Sequence, residues 1–445
     1  AFIRSTDSSK LSYDISAAQR TDQLPKNEGF SVSTIGRDIS LSSSYKSPKS
    51  QRIEFGTIYR RLQVKDTLLI NKPVENTLQS RLELNLHFLK KFVRTRTFYQ
   101  VGTGQEQRRE FQYLNVQSGN GVYVWNDYDS NGIKTLNEFE VASDLDRQRA
   151  DYIKIYTPVA RFITTNSSKI SQTVELNPSV FYNINKRVRP FPARFNSLTT
   201  LILDKKILPT EILNFLNPLQ RNLEDTSLIN NSQNFRTTLF YNRGNSKYSV
   251  DYTYINSNSK VLLTNGFDSR SSNDNMLNTR VNLRRKFTIN TRLVLGERLY
   301  QSQFFVDNDY KYTFYEIVPK LQVVIKKMYR IELMTKYFNA VNSELFGGET
   351  SENIEIGSAF KYAKANKGTM SAGFNYIKVN YDGNTSSNLG YELLRGLQNG
   401  NNVTWKLGYQ RTLANNIQLM LSYDGRQSED APVIHMGRLL ARYLF

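Results

Sequence analysis

Apolar and polar residues alternate with a period of two along most of the chain, most sharply near its C-terminus. In 402–412, Val403, Trp405, Leu407 and Tyr409 alternate with Thr404, Lys406, Gly408 and Gln410. After Leu413-Ala414-Asn415-Asn416 the rhythm resumes, with Ile417, Leu419, Leu421 and Tyr423 on one face and Gln418, Met420, Ser422 and Asp424 on the other. Residues 247–256, 331–337, 354–360 and 370–376 repeat it. Successive side chains of a strand point to opposite faces, so each such segment reads as a strand with one apolar, aromatic face. About eighteen segments qualify: 8–20, 28–45, 51–65, 79–88, 92–102, 170–186, 193–206, 234–243, 247–257, 277–288, 290–303, 312–325, 329–342, 352–364, 369–381, 402–412, 416–426 and 434–445. Almost none is separated by a helical pattern, which excludes parallel βαβ folds. Within 28–45 the apolar phase shifts from Phe30/Val32 to Ile39/Leu41, which predicts a bulge or an extra turn.

The connections between these segments alternate in length. Short ones fall near 46–50, 89–91, 187–192, 244–246, 289, 326–328, 365–368 and 413–415. Long ones fall at 20–28, 66–78, 103–169, 207–233, 258–276, 304–311, 343–351, 382–401 and 427–433. Bacterial outer-membrane barrels pair short periplasmic turns with longer extracellular loops, and a sandwich has no reason to keep that parity. The expected fold is therefore all-β, a transmembrane antiparallel barrel of about 18 strands. Residues 1–102 supply strands 1–5, 103–169 form an extracellular excursion, and 170–445 supply strands 6–18 of the same barrel.

Charge and composition sharpen the picture. The segments around the short turns hold 24 Lys or Arg and no Asp or Glu, whereas the long connections are net negative. The net charge of +19 is thus a belt over many turns rather than a groove with stacking aromatics, which argues against nucleic acid as a partner. Such a rim suits anionic headgroups, making outer-membrane lipid an expected partner. The chain has no Cys and only two His, His87 and His435, which excludes thiolate chemistry and disfavours a multi-histidine metal centre. No apolar run is long enough for a membrane-spanning helix. No signal peptide precedes the first segment, so the sequence reads as a mature or trimmed product.

One motif carries metal chemistry. Asp127, Asp129, Asn131, Gly132 and Glu138 fit D-x-[DN]-x-[DN]-G-x5-E, in which alternate oxygens fold around a hard cation. The ligands expected are Asp127, Asp129, Asn131, the carbonyl of Ile133 and Glu138, with a structural Ca2+ as cofactor. The flank Val122-Tyr123-Val124-Trp125 reads as strand rather than the helix of an EF-hand, and the alternative is an Asx-rich turn without an ion. No catalytic residues are expected. Ser428, Glu429, Asp430 and His435 lie close in sequence, but no Gly-x-Ser-x-Gly elbow accompanies them, and the chain does not read as an enzyme. Leu208-Pro209-Thr210-Glu211 followed by Ile212, Leu213, Phe215 and Leu216 predicts a capped short helix, and 390–397 a helical turn.

Two stretches resemble a known group. Gly119 to Gly132, running on to Leu136-Asn137-Glu138-Phe139-Glu140, is similar to a segment of large, poorly characterised outer-membrane proteins of Bacteroidota. So is the end of the chain, from Gly390-Tyr391-Glu392-Leu393-Leu394-Arg395-Gly396-Leu397-Gln398 through Ile434-His435-Met436-Gly437-Arg438 to Phe445. The terminal Arg442-Tyr443-Leu444-Phe445 also resembles, in part, the signal read by the barrel assembly machinery, which implies that machinery as a partner for insertion. The group's members tend to be longer, which implies that this chain is the C-terminal barrel portion of a larger polypeptide. The resemblance implies a bacterial outer-membrane location and supplies no activity.

Three functions follow. The first is a scaffold or anchor within an envelope protein complex for secretion, surface display or biogenesis, with other envelope proteins as partners. The second is a porin-like or substrate-specific channel lined by Lys406, Gln410, Asp251, Arg236 and Lys336. The third is a soluble all-β surface-binding protein. The scaffold is the leading expectation.

Overall fold

In the computed structural model the described residues are 1–443 apart from 6–9, 27–28, 48–50, 71–74, 118–120, 143–148, 183–189, 209–227, 264–265, 285, 304, 365–367, 414–416 and 430. The chain divides into two compact units, one of residues 1–110, 157–239 and 255–269, the other of 111–156, 240–254 and 270–445. Both are built of antiparallel strands. In the first, β1 (Phe2–Arg4), β2 (Leu11–Lys26), β3 (Gly29–Lys46), β4 (Arg52–Val64), β5 (Glu75–Phe88) and β6 (Val93–Asn115) each pair with the next in the chain, and β9 (Tyr152–Leu176) joins β6 to β10 (Phe195–Ile207). β11 (Leu228–Tyr241) also lies largely in this unit, whereas β12 (Tyr248–Leu263) and β13 (Gly266–Leu283) contribute residues to both.

The second unit holds β14 (Phe287–Ser302), β15 (Tyr310–Ile325), β16 (Tyr329–Asn342), β17 (Thr350–Lys364), β18 (Gly368–Asp382), β19 (Gly400–Thr412), β20 (Ile417–Ser428) and β21 (Ile434–Tyr443), each paired antiparallel with its successor. It also holds a hairpin of β7 (Tyr123–Trp125) and β8 (Phe139–Val141) and one helix, α1 (Asn388–Leu394). Among the described residues no helix is long and apolar enough to cross a membrane.

Burial in the second unit is inverted relative to a soluble sheet. On β15, Glu316 and Val318 are buried while their neighbours Tyr315 and Ile317 are 39% and 40% exposed. Leu333 is 50% exposed and Ile356 56%, whereas Ser351, Asn342 and Asn402 on the opposite face are at most 2% exposed. Aromatics mark both ends of the exposed apolar face. Towards the long connections stand Tyr315, Tyr337, Tyr376 and Tyr423; towards the short turns stand Phe287, Tyr329, Tyr362 and Tyr443. Leu293, Leu321 and Leu333 lie between, while Ile356 and Leu407 stand directly opposite Tyr376 and Tyr423. The upper tyrosines aim their hydroxyls at polar groups: Tyr337 donates to Glu352 (2.7 Å), Tyr376 to Asn401 (2.6 Å), and the Tyr423 oxygen lies 2.8 Å from His435 Nδ1.

The buried polar face carries a small apolar core at its loop end. The N-cap Ser387 accepts from the Gly390 amide (2.9 Å) and Arg395 ends α1 in the left-handed region. The helix lays Leu389, Leu393 and Leu394 on Tyr312, Phe338, Ala340, Ile377, Val379 and Tyr381. In β18 the apolar set therefore changes face between Tyr376 and Ile377, because the strand leaves the exposed band and meets the helix.

Several expectations hold and several are corrected. Among the described residues eighteen strands are ten residues or longer, matching the eighteen segments, and the three-residue β1 is a nineteenth that alternation does not reveal. The bulge is real: the β2–β3 register steps from Asp22↔Thr34 to Gln23↔Val32, leaving Ser33 as the extra residue, its hydroxyl donating to the Asp22 carbonyl at 3.0 Å. The long connections expected at 20–28 and 258–276 are strand instead, since β2 runs to Lys26, β3 resumes at Gly29, β12 runs to Leu263 and β13 starts at Gly266. The 103–169 excursion likewise shrinks to 116–151 as β6 and β9 lengthen. Clean period-two alternation lapses in these segments, either through polar runs such as Ser269–Asn275 or through apolar clusters such as Val261-Leu262-Leu263 and Tyr152-Ile153, so hydropathy reads loop where backbone pairing makes strand. The helix expected from 208 to 216 falls almost wholly outside the described residues.

The tight turns are unusual. Leu89, Lys90, Lys91, Arg284, Lys326 and Lys327 all have φ between 48° and 72°, a region in which Gly or Asn is ordinarily found. Leu393, 1% exposed, is the most buried of the helix leucines. Leu393→Ala is expected to cost about 2–4 kcal/mol, measurable by chemical denaturation of the detergent-solubilised protein, while Tyr391→Ala on the exposed side of α1 leaves the midpoint unchanged.

Candidate functional site

The metal-like loop forms the connection of the β7–β8 hairpin, so its flanks are strands, as Val122–Trp125 indicates. Gly132 has φ +70°, which permits the sharp turn. The loop's carboxylates organise its backbone. Asp127 accepts from the Asn131 amide (3.2 Å) and the Gly132 amide (2.9 Å), and Asp129 accepts from the Asn131 side-chain amide (2.6 Å). Glu138 is 3% exposed and accepts from Trp125 Nε1 and the Thr135 amide, both at 2.9 Å, closing a capping box.

Of the five residues expected to bind metal, three converge: one carboxylate oxygen from each of Asp127, Asp129 and Glu138 lies within 4.8 Å of the others. The Asn131 side-chain oxygen accepts from the Ile133 amide at 2.5 Å. Below the loop an aromatic cluster anchors the hairpin: Tyr113 stacks on Phe139 (4.0 Å between centroids), and Tyr123 and Tyr152 pack edge-on. Lys134 donates to the Tyr152 hydroxyl (2.6 Å) and lies over the Trp125 ring. Gly121 sits so close to Ala150 and the Tyr152 amide that a Cβ would come within 2.6 Å of the latter nitrogen.

The second site is the polar wall of the second unit. Asp251 and Lys336, two residues expected to face a lumen, line one open cleft of about 510 Å³ with Arg280, Arg292 and Lys320. Glu316, 5% exposed, is held among Arg292 (2.6 Å), Lys336 (3.3 Å) and Arg395 (3.8 Å). Arg298 grips Asp274 through two bonds of 2.6 and 3.1 Å. Lys406 shares this face through its register with Asp424. Alternation finds the face, but not the Glu316 cluster or the tyrosine rows, because strand register decides which residues meet.

Neither a family model nor a curated protein matches the chain. Solved structures with some likeness include the outer membrane protein OpdK from Pseudomonas aeruginosa, at 7% identity over 97% of each chain with a TM-score of 0.35. OmpT of Vibrio cholerae is similar at 8% identity over 84% of this chain and 89% of that one, with a TM-score of 0.31. The ferric-catecholate import receptor Fiu from E. coli K12 is similar at 9% identity over 95% and 73%, with a TM-score of 0.33. At these TM-scores the likeness decides nothing about this chain.

The Thr135 amide, and then the Trp125 indole, hold the Glu138 carboxyl below its ordinary value of 4.5. A depressed carboxylate stabilises the folded loop fully above 4.5 and loses that contribution as the pH falls through the lowered value. In a Trp405→Phe background, Trp125 fluorescence is expected to titrate with a midpoint below 4.5, and Glu138→Gln to abolish the step.

Proposed function

We propose that the chain is a β-barrel of the bacterial outer membrane, its apolar face on lipid and its polar face around a wet lumen that passes small polar solutes. The inverted burial of the second unit, framed by two aromatic rows, carries this reading. Tyr329 and Tyr337 stand eight residues apart on β16, about 26 Å along a strand at ~3.3 Å per residue, which at a tilt of about 40° spans roughly 20 Å of the ~25 Å apolar band between the aromatic girdles of such barrels. Eighteen long strands are enough for an aqueous channel, and the charged clefts of the polar face suit one. The basic short turns then face the periplasm, and the β7–β8 excursion lies outside the cell.

That excursion favours a second reading, a scaffold within an envelope complex. It has its own hairpin and aromatic cluster, and it leaves Val122, Tyr128 and Ile133 exposed. Its loop is proposed to take Ca2+ through Asp127, Asp129 and Glu138 as an ordering ion, with a dissociation constant on the order of 0.1–1 mM.

Four measurements test these statements. An unboiled sample from detergent-extracted membranes is expected to migrate faster on a gel than a boiled one, and full solubility without that shift sinks the barrel. Leu333→Arg, midway between the tyrosine rows, is expected to cost about 2–4 kcal/mol in urea unfolding from lipid, while Met334→Arg on the opposite face is nearly neutral. Equal costs would count against the lipid assignment. Single-channel conductance in planar bilayers supports the channel; its absence, with stoichiometric copurification of envelope proteins, supports the scaffold. For the loop, Tb3+ emission sensitised by Trp125 is expected, displaced by millimolar Ca2+ and lost in Glu138→Gln; no sensitised emission leaves an Asx turn without an ion.

A further inference from the structure

The first unit contains an open cleft of about 570 Å³ on the polar face beside the β5–β6 turn. Its charge is one-sided. The register pairs His87 with Arg94 and Asn85 with Arg96, so all four side chains leave the same face, and Lys91 joins them from the turn. Glu175 of β9 is the only acidic residue in the lining. Arg94 approaches that carboxylate only to 3.6 Å, outside a hydrogen bond of good geometry. The Nε of Arg96 donates to Asn85 Oδ1 (3.0 Å), which fixes the guanidinium plane and leaves its terminal nitrogens available. Among the described residues neither the Lys91 ammonium nor the His87 ring has a partner.

We infer that this cleft binds a small oxyanion of the phosphate or phosphomonoester class from solution. Two planar guanidinium forks, a mobile ammonium and an imidazole converge where one carboxylate cannot neutralise them. Guanidinium groups recognise such oxygens in pairs, and the ammonium adds a point charge. The polar face lies opposite the apolar one, so the anion assigned is a dissolved one rather than a lipid headgroup. The site stands on the first unit's own geometry and does not depend on conduction: a folded barrel that passes no current leaves it intact.

The test is calorimetric titration of inorganic phosphate into the full chain in neutral maltoside micelles. Saturable binding is expected, weakened about tenfold or more in the Lys91→Gln, Arg94→Gln double variant, as charge-assisted bonds of this kind imply. Arg52→Gln, an exposed basic residue paired with Glu54 outside the cleft, is expected to leave binding unchanged. Arg94→Lys, which keeps the charge and loses the fork, is expected to fall between. Absence of saturable binding, or equal weakening by Arg52→Gln, overturns the site. Copurified phospholipid that must be stripped before phosphate binds overturns the dissolved anion in favour of a headgroup. Should the double variant fail to fold, phosphate protection of Lys91 from acylation in the wild-type chain, read by mass spectrometry, decides: an unprotected Lys91 overturns the proposal.

Discussion

Antiparallel backbone pairing is the constraint from which the rest of this molecule follows. On the membrane reading, a surface that turns leucines and tyrosines outward has no water beside it to satisfy a stray amide, so each N–H and C=O along the band needs a partner in the next strand. The ladder from β14 to β21 meets that need with long registers, broken between β15 and β16 at Val318-Pro319. Once the register is set, the two-residue period sorts every side chain to one face or the other. A slip of one residue would exchange Glu316 with Ile317 and put a carboxylate on the apolar side. The extra Ser33 shows the same rule at work, since it is inserted where the apolar phase of β3 must change.

The polar face is more than the complement of the apolar one. Its charges are arranged around Glu316, which three cations from β14, β16 and the residue after α1 approach. Buried charges of this kind are kept by their partners, and removal of one leaves the others uncompensated. Arg395 ties that cluster to the helix, because its guanidinium also stacks 4.6 Å from the Phe338 ring. The small apolar core under α1 and the ion cluster beside it thus form one structure on the polar wall.

Much of the fold was legible in the sequence. Alternation found all eighteen long strands, and a phase slip found the bulge, because the same period that makes a strand readable makes its interruption readable. Strand ends were less accessible. In Ser257–Asn275 and Arg20–Lys26 polar runs and the adjacent apolar Val261-Leu262-Leu263 break the two-residue alternation, so hydropathy does not separate a paired extension from a loop. The spacing of the loop motif is local, and the carboxylates of Asp127, Asp129 and Glu138 lie together in the hairpin. It did not foresee Asn131 turned to the Ile133 amide, nor Trp125 as a donor to Glu138, because both depend on the folded path of the hairpin. The Glu316 cluster draws on distant strands, and the His87–Arg94 cleft, though its cations come from one hairpin, depends on strand register and on the β9 residue Glu175, so both stayed invisible.

The cationic tight turns have a further consequence. An L-residue other than Gly or Asn held at positive φ gives up roughly 1–2 kcal/mol, and Lys90, Lys91, Arg284, Lys326 and Lys327 all accept that strain where asparagine-glycine would relieve it. What they keep is charge that resists passage through hydrocarbon. On the membrane reading, the two ends of the cylinder then differ in how readily they translocate. The lysine-capped hairpins stay on the side from which insertion begins, and the direction of entry is written into the least comfortable residues of the chain.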